Sequence, residues 1–276
     1  MAYDLLDKKT RARVDELIRR HPDYARFSEG VGGNPQRIAR WAFINAAAWA
    51  DDIKWDERFY DDTLRDAKPA LPIPPFPDMK RHTNWHYVNP YFSPDETPLP
   101  DTPTINARTE LPRMMEGLGG DQGWYYLPWL LHVEGDVHQP MHCVSRLTKH
   151  LLGPDGTPTS DLGGNLTVVD GYTNLHAVWD NLLGVTQDEN YIDWRAARLR
   201  KEHARPNQLS LDPMVWTQEA FDLARTRAYT MPADVGTLEH PFRPTRAYWA
   251  DALRVAQSQA ALAAYRLAAV LNNRLK

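Results

Sequence analysis

The sequence predicts an all-α fold: one multi-helix domain over residues 1–276, with long irregular loops gathered around a site. Three observations predict it. Apolar residues recur at helical spacing in most long segments, prolines and glycines collect between those segments, and period-two alternation is nearly absent. With 42% hydrophobic residues in a chain of this length, a full core can be buried.

The first helix is expected in DKKTRARVDELIRRH, where Val14, Leu17 and Ile18 share one face and the charges take the other. Asn34 followed by Pro35 marks a second start, since asparagine accepts from free amides and proline suits the first turn. That helix, PQRIARWAFINAAAWADD, is expected to run unbroken into Asp51. Residues 68–103 carry proline so densely that they read as loops, with NWHYVN between them as a short extended piece presenting His86. Helix signals return at INARTELPRMMEGL and in DQGWYYLPWLLHVEGDVHQ, where Asp121 is the expected cap. LLGPDGTPTSDLGGN reads as a loop and LTVVD as a brief strand-like piece. A helix then begins at Asn174 in NLHAVWDNLLG and is closed by Gly184. Three more helices fit YIDWRAARLRKEH, DPMVWTQEAFDLARTRAY and PTRAYWADALRVAQSQAALAAYRLAAVLNNRL.

Charge narrows the partners. The 32 basic and 36 acidic residues give a formal charge of −4, so no general field exists to hold a polyanion, and attraction for an anionic substrate must be local. Bound divalent metal supplies such attraction. The single cysteine, Cys143, forbids an intrachain disulfide and leaves metal or core packing as stabilising devices. No apolar run approaches the roughly 20 residues of a bilayer span, and the opening MAYDLLDKKTRARVDEL is charged from its fourth residue, so neither signal peptide nor membrane anchor is expected in this chain.

The chemistry concentrates in HVEGDVHQPMH, which places His132, Glu134, Asp136, His138 and His142 within an otherwise apolar stretch. Burying such groups without partners is costly. His132 and Asp136 are four residues apart and share a helix face, and His176 and Asp180 in NLHAVWDN repeat that spacing. Spacing alone leaves two readings open, because chance supplies about one such pair here, and salt-bridged core histidines fit it equally. Zinc chemistry needs nitrogen and oxygen ligands from several elements with one position open to water. His86 on its loop, Asp51 at a helix end and the two His/Asp helices are candidates, and phosphoester hydrolysis is the reaction class they suit.

The ordered set WADDIK, WHYVN, HVEGDVHQPMH, DLGGN and NLHAVWDN resembles the S1/P1 nucleases in order and approximate spacing. YRLAAVLNNRL is similar to that family's last helix, so the resemblance covers almost the whole chain. It implies a helical fold shared with bacterial zinc phospholipase C and three zinc ions on the floor of a cleft. It implies that Asp51, His86 and His132 hold one ion, that Asp136 bridges it to a neighbour, and that His142, His176 and Asp180 hold another. Asp51 and Asp136 are the carboxylates assigned to catalysis. Asn181 matches a base-contacting position, Lys54 lies where a phosphate contact is expected, Asn165 of the GGN turn is a further substrate candidate, and His138 supports from behind. The plain alternatives are a solvated Lys54, an ordinary turn at Asn165 and a merely supporting Asn181. Trp124, Tyr125, Tyr126 and Trp129 read as core rather than stacking platforms. His82, His150, His203 and His240 match no motif and are expected to be exposed.

Family members open their mature chain with Trp-Gly and, shortly after, Gly-His, which complete the third ion's site; neither dipeptide occurs here. The expectation is an N-terminally incomplete chain that binds two Zn2+ ions of the family's three, with true loss of one metal position as the alternative. An export signal on the complete protein, and a secreted or periplasmic location, follow from the first of these. The function implied is a zinc-dependent endonuclease cleaving single-stranded DNA or RNA, with possible 3′-nucleotidase activity. A phospholipase C-like lipid hydrolase and a non-catalytic zinc-binding relative are the alternatives. The expected partner is single-stranded nucleic acid or a nucleotide, with no obligate protein partner.

Overall fold

A computed structural model describes residues 1–67, 76–186 and 188–276, and helix dominates it, with ten α-helices against three short strands among the described residues. The proline-rich loop expectation for 68–75 lies outside the described residues; the rest of 68–103 is irregular apart from one short turn and one two-residue strand. The chain divides into two compact units, 1–86 with 105–135 and 264–276, and 87–104 with 136–263.

In the first unit, α1 (Lys8–Arg20) starts where Asp7 accepts the Thr10 amide and buries Val14, Leu17 and Ile18, the face that the pattern predicts. After the single turn α2 (Tyr24–Phe27), α3 (Pro35–Ala46) opens at Asn34, whose side chain accepts the Arg37 amide. This helix does not run on into Asp51. The chain turns at Ala47 and Ala48 and restarts as α4 (Trp49–Asp52). The Asp51 amide bonds the Ala48 carbonyl at 3.1 Å instead of the Ala47 carbonyl that a continuous helix would use.

His86 ends a 3-10 turn, Thr83–His86, rather than lying in an extended piece. His82, expected at the surface, is 6% exposed: its Nε2 lies 3.2 Å from Asp78 Oδ1 and its Nδ1 3.4 Å from Asp62 Oδ2, while its ring stacks on Trp85 at 3.7 Å. Two carboxylates make burial of that imidazole tolerable. α5 (Ala107–Gly117) is capped by Asn106, and α6 (Gly123–Asp136) opens two residues beyond Asp121. Trp124, Tyr125 and Trp129 of α6 are buried, as the core reading expects, while Tyr126 is only half-buried.

In the second unit, β1 (Tyr91–Phe92) pairs in parallel with the start of β2 (Ser145–Leu152), Tyr91 opposite Ser145. β2 folds back antiparallel on β3 (Pro158–Ser160), so LLGPDGTPTS is largely a hairpin rather than a loop. Its tip is closed by the Gly153 amide on the Thr157 carbonyl at 2.8 Å, with Gly156 at φ +77°. LTVVD contributes no strand to this sheet; Val169 makes one isolated bridge, to Phe242.

The hairpin leads to α7 (Leu175–Asp180), capped by Asn174, and then α8 (Glu189–Glu202). α9 (Pro213–Leu223) runs into a π-helical turn over Ala224–Ala228, and α10 (Arg246–Arg274) closes the chain. Met141, Leu175, Val178, Trp179, Phe242 and Tyr248 belong to this unit's core. A buried polar node lies beside them. Asp161 accepts the Arg146 amide at 2.9 Å, the Thr167 hydroxyl at 2.7 Å and the Tyr229 hydroxyl at 2.6 Å. The Arg146 guanidinium donates to the carbonyls of Pro232, Ala233 and Val235, and Phe242 exchanges backbone bonds with Val168 and Asp170.

Candidate metal centre

The break between α3 and α4 is where the first donor group is built. The Ala47 carbonyl, released from the helix ladder, lies 2.7 Å from His132 Nδ1. A carbonyl only accepts, so Nδ1 carries the proton and the neutral ring's lone pair sits on Nε2. That nitrogen lies 3.4 Å from Asp51 Oδ1, and His86 Nδ1 lies 3.6 Å from the same oxygen. The two imidazole rings meet nearly edge to face, 4.8 Å between centroids. Trp129, fully buried, packs against His86 at 5.7 Å.

In the second unit the same device recurs with a glycine turn in place of a helix break. Gly163 offers its carbonyl to His176 Nδ1 at 2.8 Å. The turn needs glycine, because Gly163 sits at φ +66° and a Cβ there would stand 2.6 Å from the Met141 carbonyl. His176 Nε2 is thereby turned to Asp180 Oδ2 at 3.6 Å, and His142 Nε2 lies 3.6 Å from Asp180 Oδ1. Gln139 donates to Asp180 Oδ1 at 2.8 Å.

Each group, Asp51 with His86 and His132, and His142 with His176 and Asp180, has three donor atoms within 4.8 Å of one another. Tetrahedral bonds of about 2.0–2.1 Å require ligand atoms about 3.3 Å apart. The four carboxylate–imidazole separations of 3.4–3.6 Å fit that requirement, and the imidazole nitrogens of each group lie within 4.8 Å of one another. Three donors leave a coordination position for water or substrate.

The protonation states also suit a cation. Partial burial pushes the Asp51 carboxyl upward, but the His132 hydrogen bond and charge, then Lys54, pull it well below the ordinary range. Asp180 follows the same rule: burial raises it, and His142, then His176 and Gln139, lower it further. Burial and then the neighbouring His142 hold the His176 ring's pKa below its usual value, against the pull of Asp180. Anionic carboxylates and a neutral His176 are the forms that bind metal.

The sequence profile of the S1/P1 nuclease family matches residues 1–276. The chain belongs to the S1/P1 nuclease family. Among similar proteins are two from Arabidopsis thaliana, Endonuclease 5 and Endonuclease 3. The first is 32% identical over 165 residues, covering 53% of this chain and 49% of that protein. The second is 31% identical over 166 residues, covering 53% and 50%. The chain spans about half the length of the curated relatives it matches.

Six of the seven expected ligands thus fall into the two donor groups of this S1/P1 nuclease family member. Asp136 belongs to neither; its Oδ1 lies 3.9 Å from His142 Nδ1. Lys54 is not simply solvated, since its Nζ holds Asp51 Oδ1 at 2.6 Å. The amides of Asn165 and Asn181 are exposed and bond locally, to the carbonyls of Leu162 and Ala177 at 2.8 Å each. His138 is buried against Trp216. Sequence reasoning missed Gln139, although it sits inside HVEGDVHQPMH, and the two backbone carbonyls that orient His132 and His176. Among the described residues no helix is long and apolar enough to cross a membrane.

Proposed function

We propose that this chain is a zinc-dependent phosphodiesterase, an endonuclease that cleaves single-stranded DNA or RNA and also acts on 3′-nucleotides, with residues 1–276 forming one catalytic domain. One observation carries the proposal: two sets of two imidazoles and one carboxylate stand at ligand spacing, in a chain whose family is a nuclease family.

Zinc, when bound, supplies Lewis acidity to phosphoryl oxygens and brings the pKa of its water near neutrality. Asp51, His86 and His132 would hold one ion, and His142, His176 and Asp180 another, with Asp136 as an additional carboxylate ligand beside His142. The Ala47 and Gly163 carbonyls keep His132 and His176 in the tautomers that present Nε2. Lys54 exchanges Asp51 for a substrate phosphate oxygen. Asn181, whose Nδ2 is committed to Ala177, offers Oδ1 to a base N–H; Asn165 keeps its second amide hydrogen for a phosphate. A location outside the cytoplasm rests on the family resemblance.

The test is elemental analysis of protein purified without chelator, paired with hydrolysis assays. The expected result is two zinc ions per chain, faster cleavage of single-stranded than duplex DNA, and loss of both metal and turnover on chelation. A chain without zinc, or one that hydrolyses choline phospholipid and leaves single-stranded DNA intact, overturns the proposal.

A further inference from the structure

Trp55 stands with 88% of its surface in solvent, on the turn that follows Asp51 and Lys54. An indole is a large apolar surface to leave in water. Its neighbours in the same unit do otherwise: Trp49 and Trp129 are fully buried.

The turn beneath it is fixed on both sides. Ile53 is fully buried, the Lys54 amide bonds the Asp51 carbonyl at 3.1 Å, and the Trp55 amide bonds the Asp52 carbonyl at 3.2 Å. Beyond it, Arg58 holds Asp56 at 2.7 Å and Asp23 at 2.9 and 3.0 Å, and Asp23 accepts the Trp49 indole N–H at 2.9 Å. The exposed ring is therefore mounted on a rigid support, so little ordering cost remains for a ligand to meet.

We propose that Trp55 is a stacking platform for an unpaired nucleobase of the substrate whose phosphate is held beside Asp51 and Lys54. The inference rests on the nuclease reading and names the group that selects unpaired strands. Asp52 and Asp56, on either side of Trp55 in sequence, are paired with Arg26 at 2.9 Å and with Arg58 at 2.7 Å, so their charges are balanced and the turn is suited to the neutral face of a base. In a duplex those faces are covered by neighbouring base pairs; in a single strand they are open. Stacking tolerates every base, so Trp55 favours unpaired strands without favouring a sequence.

The experiment compares zinc-loaded wild type, Trp55→Ala and Trp55→Phe. Tryptophan emission is titrated with phosphorothioate oligothymidylate, and KM and kcat are measured on single-stranded and duplex DNA. The expected result is quenching in the wild type that is missing from Trp55→Ala, and a KM for single strands raised about 5- to 150-fold in Trp55→Ala. That change is carried by KM rather than kcat, Trp55→Phe restores most of it, and the preference for single strands over duplex narrows. Equal quenching and equal KM in wild type and Trp55→Ala overturn the platform. Phosphatidylcholine vesicles that blue-shift the Trp55 emission where oligothymidylate does nothing assign the ring to a lipid surface and overturn it as well. A wild type that hydrolyses no nucleic acid, yet shows Trp55-dependent quenching, places the failure in the nuclease reading instead.

Discussion

His132 donates its Nδ1 proton to the carbonyl of Ala47 across 2.7 Å, and that carbonyl is available because α3 stops one residue earlier. A helix break and a ligand's tautomer are thus one feature. His132→Ala is expected to lower bound zinc by one ion per chain and cut hydrolysis of single-stranded DNA by at least about 100-fold, with helix content preserved. Elemental analysis, steady-state rates and far-ultraviolet circular dichroism check this; full metal and full activity in the variant would refute the assignment.

Gly163→Ala should strike the other donor group through the backbone. The new Cβ meets the Met141 carbonyl at 2.6 Å and imposes a left-handed conformation on alanine, a cost of about 2 kcal/mol or more. Moving the Gly163 carbonyl releases His176 from its orientation. Calorimetry should record a lower Tm and elemental analysis less zinc, whereas a variant of unchanged Tm and metal content would separate the turn from the site.

Lys54→Met removes the cation that Asp51 now holds at 2.6 Å. Zinc is expected to bind at least as tightly, since the carboxylate loses a competitor, while KM for nucleic acid rises because a phosphate contact is gone. Isothermal titration with zinc and a KM measurement read the two effects separately. Weakened zinc binding would show that Lys54 orders the Asp51 site rather than waiting for substrate.

His21 predicts an acid limb in stability. Burial drives its ring pKa well below 6.5, outweighing the pull of Asp23, among the rings of Phe27, Trp49, Phe76 and Trp124. The unfolded chain takes up a proton as pH falls through 6.5 while the folded chain resists it. This contribution is therefore complete above pH 6.5 and declines below it by about 1.4 kcal/mol per pH unit, until the folded ring also protonates. Urea midpoints at pH 7 and pH 5 should fall further apart in wild type than in His21→Asn; equal slopes would remove His21 from the account.

What could be read in advance was whatever a local pattern specifies. The face of α1, the caps at Asn34 and Asn174, and the shared face of His176 and Asp180 all follow from neighbours within a turn or two. The break after Ala46 did not follow, because an alanine run has the highest helix propensity and only a distant partner, His132, gives the released carbonyl its use. The hairpin over β2 and β3 carried a usable signal in Asp155-Gly156, obscured by the glycines and prolines around it. His82 is buried because Asp62 and Asp78 converge on it from separate stretches, a pairing that one-dimensional spacing does not encode.

Residues 229–242 carry almost no helix or strand, yet Tyr229 docks on Asp161, Arg146 reaches three of the segment's carbonyls, and Phe242 is laced to Val168 and Asp170. A protease must draw a segment out into an extended form before it can cut, and here that means unfastening a buried arginine and a buried carboxylate together. The stretch that on paper invites nicking, insertion or a circular permutation is thus among the least forgiving places in the chain to attempt one.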